Sequence, residues 1–179
     1  MKHRMIQLLL LLAPAAVLAQ TPSKVLVATG IEVITSVVSP GALACIGGTP
    51  TGLWPQFPPC SPGTTRILFS YRNALGNYQQ VSGSAASLIQ GTNNVVTHCS
   101  VDGNGYGHCW GHFVWTVPGA GGQGEGSWSG RFDVLTNTTS YSQPGHGYGG
   151  KLEGLQIRCE SAATGPGQPT VFIARISGN

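Results

Sequence analysis

The stretch EGSWSGRFDV, from Glu125 to Val134, shows the alternation that is typical of a β-strand. Trp128, Phe132 and Val134 have one parity, whereas charged and hydroxyl side chains occupy the other. Because successive side chains of a strand point to opposite faces, the pattern predicts one buried face and one solvated face.

Similar β-like runs occur along most of the chain beyond its first twenty residues. Gly and Pro recur too often for an amphipathic helix, so we expect little helix. Within the run from Tyr148 to Arg158 the apolar residues change parity near Gly154, which predicts a β-bulge. The predicted strands are Lys24–Val38, Arg66–Tyr71, Tyr78–Leu88, Asn94–Val101, Tyr106–Val117, Glu125–Leu135, Tyr148–Arg158 and Thr170–Ile176.

Three of these runs set an aromatic ring among glycines, as GHCWG (107–111), GSWSG (126–130) and GYGG (147–150). Glycine is used where strands bend sharply or where a ring needs space over a neighbouring backbone. We therefore predict an all-β fold, an antiparallel closed or nearly closed barrel of about eight strands, with a β-sandwich as the alternative.

Two glycine-rich segments carry a resemblance to known proteins. EGSWSG (125–130), followed by GHGYGGKLEGLQ (145–156), resembles the strand pairs of secreted bacterial proteins of unknown function. More distantly, it is similar to allene-oxide-cyclase-like barrels of the calycin type. The resemblance implies a barrel fold and assigns no reaction.

The first 19 residues have the order of a secretory signal peptide. Lys2 and Arg4 precede an apolar run from Ile6 to Leu12, and small residues lead to a predicted cleavage after Ala19. A membrane anchor is the alternative, but the run is shorter than the roughly 20 residues that a bilayer requires. We expect a secreted or periplasmic protein of bacterial type, with one domain over residues 20–179, a Pro/Gly-rich loop at 46–63 and no membrane association after cleavage.

The charge pattern argues against a nucleic-acid partner. Without Lys2 and Arg4 the chain has seven basic and six acidic residues, and the basic ones are scattered singly. Nucleic-acid binders gather Lys and Arg on one face. Charged residues make up 8% of the chain and hydrophobic residues 41%, which is compatible with one compact core.

All five cysteines lie in the part predicted to be exported, where disulfides persist. Cys45 and Cys60 flank the Pro/Gly-rich segment 46–59 of the loop. Cys99 and Cys109 flank the turn sequence DGNG, and a hairpin centred on Asn104 places them opposite each other. We predict these two disulfides, which leaves Cys159 free, buried or intermolecular. Zinc binding is the alternative, although no C-x-x-C motif occurs.

The densest group of reactive side chains is His98, His108, His112 and Trp110. His108 and His112 share a strand face but lie roughly 13 Å apart at about 3.3 Å per residue. His98 faces Trp110 in the predicted hairpin and reaches diagonally towards either histidine. A two-histidine metal site is one interpretation. The other, which we favour, is a half-exposed sheet face with histidine stacked on tryptophan, and we assign no metal.

No catalytic residue can be assigned from motifs. Glu125 and Asp133 lie roughly 26 Å apart on one strand, too far to act as a glycosidase pair, so we expect outward charges, as for Glu153 and Glu160. No G-x-S-x-G elbow occurs, and GHGYGG (145–150) matches a dinucleotide motif only by letter, because no helix follows it. We assign no cofactor.

The function favoured by these observations is the binding of a small apolar or amphipathic molecule inside the barrel. One alternative is a cyclase or isomerase working in such a barrel, which needs an inward histidine, tyrosine or acid with a perturbed pKa. Another is a structural or adhesive surface protein. The candidate ligand-binding residues are Trp110, His98, His108 and Trp128.

Overall fold

The structure is a computed structural model that describes residues 24–52, 60–133, 138–163 and 169–178. The predicted signal peptide and the middle of the Pro/Gly-rich loop lie outside the described residues. The elements are β1 (Leu26–Ser39), β2 (Ala42–Ile46), β3 (Arg66–Ser82), α1 (Ala86–Ile89), β4 (Thr92–Asp102), β5 (Tyr106–Val117), β6 (Gly122–Asp133), β7 (Thr138–Tyr148), β8 (Leu155–Ala163) and β9 (Thr170–Gly178).

Eight strands form a closed antiparallel barrel. From β3 to β9 the pairing is consecutive, and β1 closes the circle by pairing with both β9 and β3. The ninth strand, β2, pairs with the first residues of β3, beyond the part that β1 covers. The prediction of a closed all-β barrel is confirmed, and the sandwich alternative is wrong.

The barrel interior takes one parity of each strand, as the alternation in β6 predicts. Trp128 is 7% exposed, while Ser127 and Ser129 are exposed. Gly124 of β6 makes room for a ring of β5, because a Cβ at Gly124 would overlap the Trp115 ring. Glycine is therefore required here because the large rings fill the space above the neighbouring backbone.

One strand predicted from the sequence, Tyr148–Arg158, is wrong. The run from Tyr148 to Arg158 is not one bulged strand, because β7 ends at Tyr148 and a 3₁₀ helix, Gly150–Leu152, leads into β8. Gly149, Gly150 and Gly154 have positive φ, which explains the change of parity as a chain reversal.

The predicted runs Arg66–Tyr71 and Tyr78–Leu88 also need correction. One long strand, β3, covers both as far as Ser82, and the residues after it form α1. The first half of β7 has a polar sequence with Pro144 later in the strand, and the hydrophobic pattern did not predict it.

One end of the barrel is closed by short helical segments. Helix α1 contacts the 3₁₀ helix Pro118–Ala120, which in turn contacts the 3₁₀ helix Gly150–Leu152. Ala85, Ile89, Ala120 and Leu152 of this end are buried. The opposite end lies where β4 passes to β5 through the turn at residues 103–105.

Candidate functional site

The half of the lumen beneath the helical segments is filled with side chains. Phe113, Trp115 and Phe172 are buried, and the rings of Tyr78 and Phe172 pack edge to face with centroids 5.1 Å apart. The space left between these residues is only about 10 Å³. This half is a packed core with no room for a ligand.

The other half of the lumen contains a cavity of about 150 Å³. Its wall is mainly apolar, and the disulfide between Cys99 and Cys109 forms part of it. Ile34, which is 48% exposed, stands at its rim. The apolar wall includes Phe69, Ala74, Val95, Val101, Trp128 and Phe132. The polar groups are Glu32, Arg72, Thr97, Tyr141, Gln143 and Thr170.

Glu32 is the buried carboxyl group of the lumen. It lies on β1 with Ala28 on the same inward parity, is 9% exposed, and accepts a hydrogen bond of 2.8 Å from the Asn93 side chain. Burial raises the pKa of Glu32, and the hydrogen bond from Asn93 opposes this rise. The site therefore holds a carboxyl group whose neutral form is favoured relative to a solvated glutamate.

Arg72 reaches the cavity because the register of β3 shifts. Strict alternation from Phe69, which points inward, would turn Arg72 outward. The pairing of β3 with β4 is irregular between these two residues, and Tyr71 has a φ of 56°. Such a β-bulge re-aims a side chain, and here both Phe69 and Arg72 line the cavity. Burial lowers the pKa of Arg72, but a guanidinium remains charged.

Trp128 and Tyr141 form the aromatic wall of the cavity. Their rings meet edge to face with centroids 5.2 Å apart, and the Trp128 indole N–H donates a 3.1 Å hydrogen bond to the Val96 carbonyl. Burial raises the pKa of Tyr141. The hydrogen bond fixes the indole, so this wall is preorganised.

The other three predicted ligand residues lie on the outer surface of the barrel. His98 pairs with Trp110 across the hairpin, as predicted, and both His98 and His108 stack on Trp110 with centroids 5.8 Å away. Trp110 is 42% exposed, and the exposed Tyr71 packs its ring edge to face with His98. The structure does not bring His98, His108 and Trp110 together with Trp128, which is inside. The outer residues form the half-exposed stacked face that we favoured over a metal site.

The cysteines pair as predicted. Cys45 bonds to Cys60 and Cys99 to Cys109, with Cα atoms 5.8 and 4.1 Å apart. Cys159 is free and buried, and it lines the small space of the filled half. Burial raises its pKa to about 12, so the thiol is unreactive at neutral pH.

The acids considered from the sequence do not contribute to the cavity. Glu125 and Glu160 are about half exposed and lie near basic partners: His146 at 3.6 Å for the former, Arg175 at 3.5 Å and Arg158 at 3.7 Å for the latter. Glu153 is also exposed. These charges point outward, as expected.

Two site residues were missed by sequence reasoning. Glu32 lies in the run GIEVI, where hydrophobic residues occupy both parities, so its direction is ambiguous. Arg72 requires a bulge that no glycine marks. For Glu32 the one available signal was its place as a lone acid within a hydrophobic strand. Acidic residues are rarely buried without a partner, so an acid in such a strand is unusual.

No family model matches the chain, and no curated protein matches it. Within the described part of the chain, no helix is both long and apolar enough to span a lipid bilayer.

Proposed function

We propose that this protein is an exported barrel that binds a small, largely apolar molecule in the hollow half of its lumen. The observation that carries the proposal is the cavity of about 150 Å³, with an apolar wall and a few polar groups. A cavity of roughly this volume in another protein holds benzene, so the expected ligand body is one ring or a short branched chain.

Export is supported by the two disulfides. Disulfides form and persist in oxidising compartments and are rare in reducing ones. The cystine of Cys99 and Cys109 joins two paired strands at the cavity wall, and the cystine of Cys45 and Cys60 anchors the start of the Pro/Gly-rich loop. A secreted or periplasmic location is consistent with both.

The direct test is calorimetric titration of the purified protein with toluene and with benzyl alcohol. We expect binding to the wild-type chain. Val95→Phe places a ring in the cavity and should weaken binding at least about tenfold. Val27→Phe is the matched control, because the Val27 side chain is 39% exposed on the outer face of β1 and does not line the cavity; its affinity should stay within about twofold.

Two outcomes would overturn the proposal. One is that neither toluene nor benzyl alcohol binds to the wild-type protein. The other is equal affinity in the wild type and in Val95→Phe, because the compounds would then bind elsewhere.

A second candidate function is an isomerase or cyclase, and Glu32 is the observation that favours it. A buried carboxyl group with a raised pKa beside an apolar cavity is suited to accept and return a proton. The distinguishing measurement is exchange of the α-protons of a bound small ketone with solvent, followed by NMR. Exchange that is lost in Glu32→Gln supports catalysis, whereas binding without exchange supports the first proposal.

The adhesive alternative loses one of its two supports. These were the Pro-rich loop at 49–62 and an unpaired cysteine available for an intermolecular bond, and Cys159 is buried in the lumen.

A further inference from the structure

The wall of the cavity contains one side chain with a permanent positive charge. Arg72 is the only lysine or arginine that lines it among the described residues. A guanidinium carries five N–H donors in a fixed planar arrangement that matches a carboxylate. In a wall that is otherwise mainly apolar, such a group attracts an anion more strongly than it would in water.

The position of Arg72 is built into the fold. Its inward direction depends on the bulge that includes Tyr71, a non-glycine residue with positive φ, and such a conformation costs energy. Arg72 pairs in register with Thr97, whose side chain also lines the cavity, and interacts electrostatically with Tyr141. A carboxylate near Arg72 would therefore find additional hydroxyl donors, Thr97 on the neighbouring strand β4 and Tyr141 on β7.

The carboxyl group of Glu32 is held apart from Arg72. It accepts a hydrogen bond from Asn93, which lies four residues along β4 from Thr97, the residue that pairs with Arg72. Burial also raises the pKa of Glu32, whereas the guanidinium of Arg72 stays charged.

We propose that the lumen site selects a small monocarboxylate with an aromatic or branched aliphatic body, with its carboxylate on Arg72 and its body against Trp128 and Val95. The inference rests on the proposed function and adds the chemical class of the ligand. The carboxylate occupies part of the cavity, so the remaining volume matches a body of about one ring.

The test uses three ligands of the same shape and different charge. Benzoate is an anion, benzamide is neutral and benzamidine is a cation at pH 7. We expect the wild-type protein to bind benzoate at least about tenfold more tightly than benzamide, and benzamidine most weakly, in calorimetric titrations at low salt.

Variants of Arg72 assign the preference to its charge. Arg72→Met keeps an unbranched side chain and should remove the benzoate preference, so that benzoate and benzamide bind with similar affinity. Arg72→Lys keeps the charge without the planar pair of donors and should retain part of the preference. Arg131→Met is the matched control, because Arg131 is exposed on the outer face of β6; it should behave as the wild type.

The results separate this inference from the proposed function. Equal binding of benzoate and benzamide by the wild type, or an unchanged benzoate preference in Arg72→Met, would overturn the inference and leave lumen binding intact. Failure of toluene and benzyl alcohol to bind the wild type would overturn the proposed function itself, on which this inference rests. The wild-type comparison decides the matter even if the Arg72 variants do not fold.

Discussion

The two halves of the lumen use the same strands in opposite ways. Beneath the helical segments, Phe113, Trp115 and Phe172 fill the interior and leave about 10 Å³. Towards the β4–β5 turn the same strands enclose about 150 Å³ and present Glu32 and Arg72 to it. One half is a hydrophobic core, and the other is a pocket with charge.

The contrast shows that the filled half of the lumen stabilises the fold, whereas the hollow half contains the site that we propose to bind a ligand. Packed rings stabilise by removing apolar surface from water, whereas a cavity and a buried carboxyl group both cost stability. The irregular part of β3, where Tyr71 has positive φ, also lies beside the hollow half. The cavity, the Glu32 carboxyl group and this irregularity are therefore three features that oppose folding and lie at the site that we propose to bind the ligand.

The largest expected effect comes from emptying the filled half. Phe172→Ala should lower the free energy of unfolding by about 3–5 kcal/mol, because the ring is buried and its neighbours leave almost no space. Phe132→Ala makes the same chemical change beside the existing cavity, at a partly exposed ring, and should cost about 1–2 kcal/mol. Chemical denaturation with the disulfides intact measures both.

The ratio of the two effects is the decisive quantity. Equal losses of stability in the two variants would show that the hollow half contributes as much packing as the filled half. Toluene should stabilise Phe132→Ala if the enlarged cavity still binds it, which provides a second measurement on the same variant.

A smaller effect, of opposite sign, is expected for Glu32→Gln. Glutamine keeps an oxygen that accepts the hydrogen bond from Asn93 and removes the cost of a buried charge. The folded-state pKa of Glu32 is raised, so below the unfolded value of 4.5 both states are protonated and the group has no cost. As the pH rises from there through the folded-state pKa, the unfolded state ionises first and the wild type loses stability.

We therefore expect Glu32→Gln to be more stable than the wild type at neutral pH by on the order of 1 kcal/mol. The difference should vanish below about pH 4, where both states are protonated. The titratable groups around Glu32 do not obscure this window, since burial raises the pKa values of Tyr78, Tyr141 and Cys159 and Arg72 stays charged. Glu125→Gln, at an exposed site, should change stability by less than about 0.5 kcal/mol. A Glu32→Gln variant less stable than the wild type at neutral pH would contradict this account.

The sequence predicts the barrel and its β4–β5 hairpin better than the charged groups of the cavity, and the reason is physical. Trp128 alternates with serine in β6, and glycines accompany the rings, so a closed barrel around aromatic side chains follows from periodicity and space. The hairpin at residues 99–109 follows from the DGNG turn, and with it the disulfide and the pairing of His98 with Trp110.

The charged groups of the site could not be predicted in the same way. The side on which Glu32 lies depends on the pairing of β1 with two different strands, and Arg72 depends on a bulge in β3. The direction of both side chains is set by strand register. Register depends on long-range strand pairing and does not follow from the local alternation of hydrophobic residues. Tight clusters in the sequence drew attention instead to His98, His108 and Trp110, which the barrel turns outward.

That outward cluster gives the smallest expected effect. Trp110→Ala removes two stacked contacts on a ring that is 42% exposed. The contact with His98 is a cross-strand pair, which contributes about 0.2–1 kcal/mol, and the contact with His108 lies within β5. We expect a loss of about 1 kcal/mol or less in denaturation, with toluene and benzoate affinities unchanged within about twofold, because the Trp110 side chain does not line the cavity. Trp128→Phe is the matched change inside, where loss of the hydrogen bond to Val96 should alter binding as well as stability. If Trp110→Ala instead reduced benzoate affinity tenfold, the ligand would have to contact the outer face of β5, and the division between a filled core, a hollow site and an inert exterior would fail.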